Sequence, residues 1–220
     1  MTQSVDDDVR ASDGRVPGRR GLATRRRLVE CTGELLKTTP YRQMKVVDIA
    51  REAGTSSATF YQYFPNVESA VLELAEDLVH DAEAVVDLVA GPWRGSKGTA
   101  TARALVAGFV EYWEVHRSVF NVVDLATEEG DFRFRNLRTR ALNSLTQALR
   151  DAIAESQKDK RIPSDVDAMA TASVLVSMMA HVSAHRYGFE FWGIRTSHLE
   201  EALTRILLWS VSGQKGPAAR

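Results

Sequence analysis

Residues 46–64 read VVDIAREAGTSSATFYQYF, and the spacing within this stretch predicts two short helices joined by a tight turn. Ala50 is small, as is needed where the helices touch, and Gly54 can take the left-handed conformation that the turn requires. The side facing a shared core would consist of Ile49, Ala53, Phe60 and Tyr63. This pattern is typical of a helix-turn-helix, although an ordinary corner between two helices has the same spacing.

The charge is distributed unevenly around this stretch. The 220 residues carry 28 Lys and Arg against 29 Asp and Glu, a formal net charge of −1. Residues 15–64 hold ten basic and four acidic side chains (net +6), residues 65–220 hold 17 and 21 (net −4), and residues 1–14 hold one and four (net −3). A basic block beside an acidic body indicates a part that binds a polyanion, whereas a solvated basic face is the simpler alternative.

The outward face of the second helix would meet a major groove. The predicted DNA-binding residues of this segment are Ser56, Ser57, Ala58, Thr59, Tyr61, Gln62 and Tyr63. Gln62 is the predicted base reader, because its amide can make two hydrogen bonds to adenine. The hydroxyl groups are predicted to bind phosphates, and the Ala58 methyl to meet a thymine methyl. Tyr61 is a better candidate than Tyr63, which the core also needs.

The rest of the chain predicts an all-α fold with about nine helices and no strands of useful length. The predicted helices are 22–37, 46–53, 57–63, 66–90, 99–115, 116–127, 132–157, 165–187 and 196–212. Their ends are assigned from Gly, Pro and Ser signals, including glycine-containing loops at 91–98 and 188–193.

The segment from Ile49 to Glu68 resembles the N-terminal domain of the TetR family of bacterial transcriptional repressors. The resemblance is carried by Ile49-Ala50, by residues 53–56 (AGTS), and by Thr-Phe-Tyr-x-Tyr-Phe at 59–64 followed by Asn66, and it covers about residues 22–75. It implies a three-helix DNA-binding domain with a helix-turn-helix, and a C-terminal helical domain that dimerises and encloses an effector cavity. The implied division is a flexible arm at 1–20, a DNA-binding domain at 21–67, a ligand-binding and dimerisation domain at 68–213 and a tail at 214–220.

The flanks of the motif add further predicted DNA contacts. Lys45 stands where the family commonly has Thr or Ser, and its charge can still reach a phosphate. Val67 stands where a Lys is common and cannot donate, so backbone N–H groups beside the capping Asn66 would have to bind the phosphate. Arg26 belongs to a set of arginines that would supply salt-sensitive attraction, namely Arg19, Arg20, Arg25, Arg26 and Arg27. The arm before them would enter a minor groove or serve as a solubilising tail.

The C-terminal body carries aromatic and methionine side chains suited to an adaptable apolar cavity. The candidate effector-binding residues are Phe109, Trp113, Phe120, Asn143, Met178, Val182 and His185. The effector they imply is a small apolar molecule, acyl or aromatic.

Two helices at the end of the chain are candidates for half of a four-helix homodimer interface. One has a stripe of small residues, Ala170, Ser173, Ser177, Ala180 and Ala184, and the other an apolar face of Leu199, Leu203, Ile206 and Leu207 beside Trp209. The alternative is that both helices pack within one subunit.

Other function classes find little support in the sequence. Cys31 is the single cysteine, and the first twenty residues have no apolar secretion signal, so a cytoplasmic protein is expected. The apolar stretch from Met169 to Ala184 is short and interrupted by polar residues, so no membrane association is predicted. His181 and His185 have the spacing of a metal pair but lack a third ligand. No catalytic residue, metal or cofactor is predicted.

These observations together favour a dimeric, ligand-responsive transcriptional repressor that an apolar effector releases from a near-palindromic operator. One alternative is a DNA-binding regulator without small-molecule input, controlled by a partner protein. The other is an enzyme that uses a metal bound by the two histidines.

Overall fold

A computed structural model describes residues 18–214 of the chain, and most of them are helical. Within that range there are nine α-helices, α1 Arg19–Leu36, α2 Val46–Glu52, α3 Ser57–Tyr63, α4 Val67–Asp87, α5 Gly95–Val115, α6 Arg117–Glu128, α7 Phe132–Lys158, α8 Ala168–Phe191 and α9 Thr196–Ser212. Short 3₁₀ turns lie at Tyr41–Gln43 and Leu88–Ala90. The described residues contain no strand, so the predicted all-α class is confirmed. The predicted arm at 1–20 and tail at 214–220 lie almost wholly outside the described residues.

The end of α8 differs from the prediction. The sequence suggested a break at Gly188, but the helix continues through it to Phe191. The left-handed residue that terminates it is Gly193, two residues beyond Phe191, with a φ of 81°. The N–H of Ile194 donates to the carbonyl of Phe189 at 3.0 Å, which is the closing bond of a glycine-terminated helix. The loop predicted at 91–98 is shorter in the structure, because α5 already begins at Gly95.

The chain divides into two compact units. Of the described residues, the first unit combines 18–77 with Ser118–Arg135, and the second combines Leu78–Arg117 with 136–214. The first unit therefore includes α6, which the predicted boundaries assign to the C-terminal domain. Those functional boundaries, 21–67 and 68–213, stay a prediction.

The first unit is built around the helix-turn-helix. Its fully buried side chains include Leu28 of α1, Ile49 of α2, Phe60 of α3 and Phe64 after it. The rings of Phe60 and Phe64 lie 5.6 Å apart between centroids. This core holds α1, α2 and α3 together, which is the three-helix arrangement that the sequence predicted.

The second unit packs α5, α8 and α9 against one another. Leu203 and Leu207 of α9 are buried within this single chain, so for these two residues the alternative of packing within one subunit holds. Ile206 and Trp209, 39% and 53% exposed, lie on the outer side of the same helix. The predicted stripe of α8 is likewise divided, because Ser173 and Ser177 are exposed but Ala180 is buried.

α8 is also the one helix among the described residues whose length and composition would suffice to cross a membrane. The helix has 24 residues and is longer than the apolar stretch from Met169 to Ala184 considered above. About a third of its most apolar segment is buried within the protein. Core helices pass the same test, so this finding is weak support for a membrane span.

Candidate nucleic-acid interface

The turn between α2 and α3 is closed by backbone hydrogen bonds around Gly54. The N–H of Thr55 donates to the carbonyl of Ala50 at 2.8 Å, and the N–H of Gly54 to that of Arg51 at 3.0 Å. This pair of bonds is a Schellman motif, which needs a left-handed residue at its centre. Gly54 has a φ of 68°, so the glycine occupies the position that the sequence assigned to it.

The start of α3 is capped by Ser56. Its Oγ accepts a hydrogen bond from the Thr59 backbone N–H at 3.1 Å and lies 3.0 Å from Thr59 Oγ1. The cap satisfies a backbone donor that the first turn of a helix leaves unpaired. Ser56 and Thr59 therefore have a structural role, and each hydroxyl can still approach a phosphate because Ser56 is exposed and Thr59 is half-buried.

The outer face of α3 presents polar and aromatic side chains to solvent. Ala58, Tyr61 and Gln62 are exposed, and the Tyr61 side chain is 52% accessible. Ser57 and Tyr63 are half-buried. The burial of Phe60 between these positions fixes which side of α3 faces outward. The predicted reading residue Gln62 therefore lies on the outward side.

Three predicted phosphate contacts lie on neighbouring elements. Lys45 is exposed at the residue before α2. Asn66 is exposed before α4, and its Oδ1 accepts hydrogen bonds from the Ser69 N–H at 2.9 Å and from the Ser69 hydroxyl at 2.8 Å. Because the oxygen is engaged in this cap, the amide nitrogen is the group that can donate to a phosphate. Arg26 is exposed on α1, 3.2 Å from the Glu30 carboxylate.

Several of these residues line one cleft in the first unit, with a volume of about 950 Å³. Its lining includes Lys45, Ser57, Tyr61, Asn66 and Val67. The structure thus brings together the residues that precede α2, begin α3 and precede α4. Side chains from three helix starts around one opening are well placed to bind successive atoms of a nucleic-acid backbone.

The same cleft has an opposite wall that the sequence did not reveal. Arg42, Glu68, Glu129 and Asp131 also line it. Arg42 forms an ion pair with Glu129, which follows α6. Burial, followed by the charge and hydrogen bond of Glu68, raises the pKa of Tyr41 to about 12. A hydrogen bond from Arg133 lowers the pKa of Asp131. No local pattern indicated these contacts, because the two segments are far apart along the chain.

The prediction for Arg25 is wrong. Its guanidinium lies 4.8 Å from the centroid of the Phe64 ring and is paired with the Glu73 carboxylate on α4. The side chain is 17% exposed and its charge is paired within the domain, so Arg25 is not an open cation like its neighbour Arg26. Burial raises the pKa of Glu73 even though the Arg25 charge opposes this effect.

The predicted effector-binding residues differ in burial and are not all in the same unit. Phe109 and Trp113 are buried in α5, with stacked rings whose centroids lie 6.0 Å apart. Phe120 is buried in the first unit, whereas the other candidates belong to the second. Met178 and Val182 are half-buried, but Asn143 and His185 are exposed. Val182 lines a cavity of only about 10 Å³, close to the size of one water molecule.

A larger groove of about 650 Å³ lies elsewhere in the second unit. It is lined by residues that follow α4 and by α7, including Val89, Trp93, Ala148 and Ala152. Arg94 and Arg161 stand on the same groove and both pair with Asp159. Its volume is in the range of small-molecule sites.

The two histidines of α8 interact with each other. The rings of His181 and His185 stack with centroids 4.2 Å apart, and His185 Nδ1 lies 2.9 Å from the His181 carbonyl oxygen. Within residues 18–214, no group of three or more His, Cys, Asp or Glu side chains is arranged to hold a metal ion. The metal-enzyme alternative therefore gains no support from the described geometry.

Comparison with protein families gives two matches that together span most of the chain. Residues 28–74 match the family described as bacterial regulatory proteins, tetR family. Residues 85–218 match the family described as tetracyclin repressor-like, C-terminal domain. The first match contains α2 and α3, and the second contains α5, α8 and α9.

Individual relatives agree with this result. The HTH-type transcriptional regulator EthR of Mycobacterium tuberculosis is 33% identical over 91 residues, which cover 41% of this chain and 42% of EthR. The chain thus spans less than half the length of this curated relative. Among solved structures, the fatty acid degradation regulator FadR of Bacillus halodurans has a TM-score of 0.64 at 15% identity, covering 88% and 97% of the two chains. FadR of Bacillus subtilis in complex with stearoyl-CoA has a TM-score of 0.64 at 14% identity, covering 84% and 98%.

Proposed function

Because this chain belongs to the TetR family of bacterial transcriptional regulators, we propose that it is a dimeric repressor that an apolar effector releases from a near-palindromic operator. The family is one of regulators rather than enzymes, so no catalytic residue is part of the proposal. A cytoplasmic location goes with this function.

The observation that carries the proposal is the exposed face of α3. The buried Phe60 turns Ala58, Tyr61 and Gln62 outward on a helix that Gly54 and Ser56 hold at a fixed angle to α2. A short helix with this exposed side can enter a major groove, where an amide reads a base edge. We assign base reading to Gln62.

Phosphate binding is assigned to the residues around α3. These residues are Arg26, Lys45, Ser56, Ser57, Thr59, Tyr61, Tyr63 and Asn66, and Ala58 would meet a thymine methyl. The local net charge of +6 over residues 15–64, from ten basic and four acidic side chains, supports this assignment, because phosphate attraction supplies much of DNA affinity.

The proposed dimer uses the outer sides of α8 and α9. Ser173, Val174 and Ser177 of α8 and Ile206 and Trp209 of α9 are all exposed in the single chain. Small residues on one helix let another approach closely, and the exposed Trp209 supplies apolar area. Two reading helices related by a two-fold axis would bind half-sites about one turn of DNA apart.

The proposed effector is a small apolar molecule, most simply an acyl compound. One structural neighbour, FadR of Bacillus subtilis, was solved with stearoyl-CoA, and its 14% identity shows a shared fold only. The candidate residues remain Phe109, Trp113, Phe120, Asn143, Met178, Val182 and His185. The cavity beside Val182 is small, so an effector there requires α8 or α9 to move. The groove beside Trp93 is the second candidate place, because it is already open.

Release of DNA is proposed to act through α4. In its second half, the Tyr112 hydroxyl donates to the Leu78 carbonyl at 2.7 Å, and His116 Nε2 lies 3.0 Å from Asp81 Oδ2. An effector that shifted these contacts would shift α4, whose first turn begins at Val67 beside the cleft. Such a switch requires that the effector bind the two states with different affinity.

The first experiment is DNA binding measured by fluorescence anisotropy. The probes are a duplex from the region upstream of the protein's own gene and a scrambled duplex of equal composition, at about 50 and 200 mM salt. We expect the upstream duplex to bind more tightly by a factor of about 10³. Equal, salt-sensitive binding to both duplexes would contradict specific recognition at this site.

The effector and the dimer are tested on the same protein. Stearic acid, which is small and largely apolar, and stearoyl-CoA, which also carries charged phosphates, are titrated into the complex in parallel, and release of the duplex by at least one of them is expected. Unchanged binding with both would favour the alternative of control by a partner protein. The dimer is tested by measuring the molar mass in solution by light scattering. The test variant is Ser177→Arg on the exposed side of α8, and the control is Ser144→Arg at an exposed position of α7. We expect monomers from the first variant only.

A further inference from the structure

The corner between α6 and α7 has a fixed shape. Gly130 has a φ of 94°, and the N–H of Asp131 donates to the Ala126 carbonyl at 2.9 Å. The N–H of Gly130 donates to the Thr127 carbonyl at 3.1 Å, which completes a Schellman motif. Glu129 is therefore held at the tip of the corner, where it lines the cleft described above.

Arg42 meets this corner from the opposite wall. It lies in the 3₁₀ turn Tyr41–Gln43, and its guanidinium pairs with the Glu129 carboxylate. The two side chains are 67% and 47% exposed. An ion pair this open to water contributes little to stability and exchanges partners readily.

The neighbouring groups explain why Glu129 is the carboxylate that holds Arg42. Asp131 is already engaged, because the Arg133 guanidinium donates to it at 2.6 Å. Glu68 lies close enough to Tyr41 for its charge to help raise the pKa of that hydroxyl, after the larger effect of burial.

The cleft has few cations with which to bind a phosphate. Arg42 and Lys45 are the cationic side chains among its lining residues, and Val67 at the start of α4 cannot donate. A guanidinium matches phosphate and carboxylate with the same two-pronged geometry. Glu129 and a DNA phosphate would therefore compete for the same donor groups.

We propose that Arg42 is a further phosphate-binding residue, and that Glu129 holds it back by competing with the phosphate for its guanidinium. The α6–α7 corner then lowers the DNA affinity of the domain, and a movement that withdraws Glu129 raises it. This inference rests on the proposed DNA binding and adds to it a regulated contact.

The test compares four variants with the wild-type full-length chain. These are Glu129→Gln, Arg42→Gln, the double variant, and Glu128→Gln as a control for the loss of one negative charge at an exposed neighbouring position. Binding to the upstream and the scrambled duplexes is measured by anisotropy between about 50 and 200 mM salt. Thermal unfolding of each variant shows that the fold is retained.

We expect Glu129→Gln to bind both duplexes about three to ten times more tightly than Glu128→Gln, and to steepen the salt dependence by about one phosphate contact. Arg42→Gln alone should change affinity less than Glu129→Gln does, because Glu129 already competes with the phosphate for the guanidinium, and it should abolish the gain in the double variant. Equal affinities for the Glu129 and Glu128 variants, or a gain that persists without Arg42, would overturn the inference alone. Wild-type protein that binds neither duplex at any salt would overturn the proposed function as well.

Discussion

The Arg25 guanidinium pairs with both oxygens of the Glu73 carboxylate and ties α1 to α4. Its Nε donates to Oε1 at 2.9 Å, and its Nη2 pairs with Oε2. The side chains are 17% and 33% exposed, so the pair is partly removed from water. A two-pronged pair of this kind sets the relative orientation of two helices as well as holding them together.

Replacing Arg25 by methionine should lower the free energy of unfolding by about 1–3 kcal/mol, because Glu73 is left partly buried without its cation. Urea denaturation followed by circular dichroism measures the change. Arg26→Met is the matched control, since Arg26 is exposed and pairs with Glu30 one helical turn away. That variant should stay within about 0.5 kcal/mol of the wild type. Equal losses for both variants would show that the Arg25 pair has no special role.

The stability of the protein should depend on pH through Glu73. Burial raises the pKa of Glu73 above its ordinary value of 4.5, so the folded chain holds this proton more tightly than the unfolded chain does. Stability from this group is therefore present below pH 4.5 and is lost as pH rises through the folded pKa.

The measurement is urea denaturation across that pH window for wild type and Glu73→Gln. The free-energy advantage of wild type over the variant should decrease as pH rises from 4.5 towards neutrality. Glu83→Gln, at an exposed position of the same helix, is the control for the loss of one carboxyl group. A difference that is constant with pH would contradict the assignment.

Two glycines should respond in opposite ways to alanine. Gly54→Ala should destabilise the protein by about 1–2 kcal/mol, because an L-residue is strained in the left-handed conformation. Gly188→Ala should stabilise it by about 0.5–1 kcal/mol, because Gly188 lies within α8 and an added Cβ meets no atom within 4 Å. Thermal and urea unfolding of the two variants decide the signs. A stabilising Gly54→Ala would mean that the turn is not closed as described.

Local sequence rules predicted the helices well but not the contacts between distant segments. Gly54 and Ser56 act on residues within one turn of themselves, so their roles could be read directly. Gly188 and Gly193 both look like helix ends, and only the bond from Ile194 back to Phe189 distinguishes them.

In the candidate site, too, local features could be predicted from the sequence and contacts between distant segments could not. Phe60 is apolar and buried, and Gln62 lies two residues later on the opposite side of α3, so Gln62 faces outward. The helical period of the sequence already predicted this arrangement. Arg25 and Arg26 are adjacent and chemically identical, and only the position of Glu73 on α4 decides that one is buried. The pairing of Arg42 with Glu129 likewise depends on tertiary structure, because the two residues are far apart along the chain.

Asn66→Asp should separate helix capping from DNA binding. The aspartate retains the oxygen that accepts from the Ser69 N–H, so stability should be unchanged or higher by up to about 1 kcal/mol. The added negative charge in the cleft should weaken DNA binding by about three- to tenfold. Gln147→Glu makes the same charge change at an exposed position of α7 and should have little effect. Unfolding and anisotropy measurements on both variants test this, and equal DNA affinities would remove Asn66 from the interface.

Gln62→Ala should change which sequences the protein prefers more than how tightly it binds DNA in general. Loss of a two-pronged amide contact should reduce discrimination at one base pair of each half-site by about 1–3 kcal/mol. Selection from randomised duplexes, carried out in parallel on wild type and variant, measures this preference position by position. Gln147→Ala, an exposed glutamine of α7, is the control and should select the wild-type sequence. If Gln62→Ala also selected the wild-type sequence at equal stringency, base reading would belong to another residue on the outer face of α3.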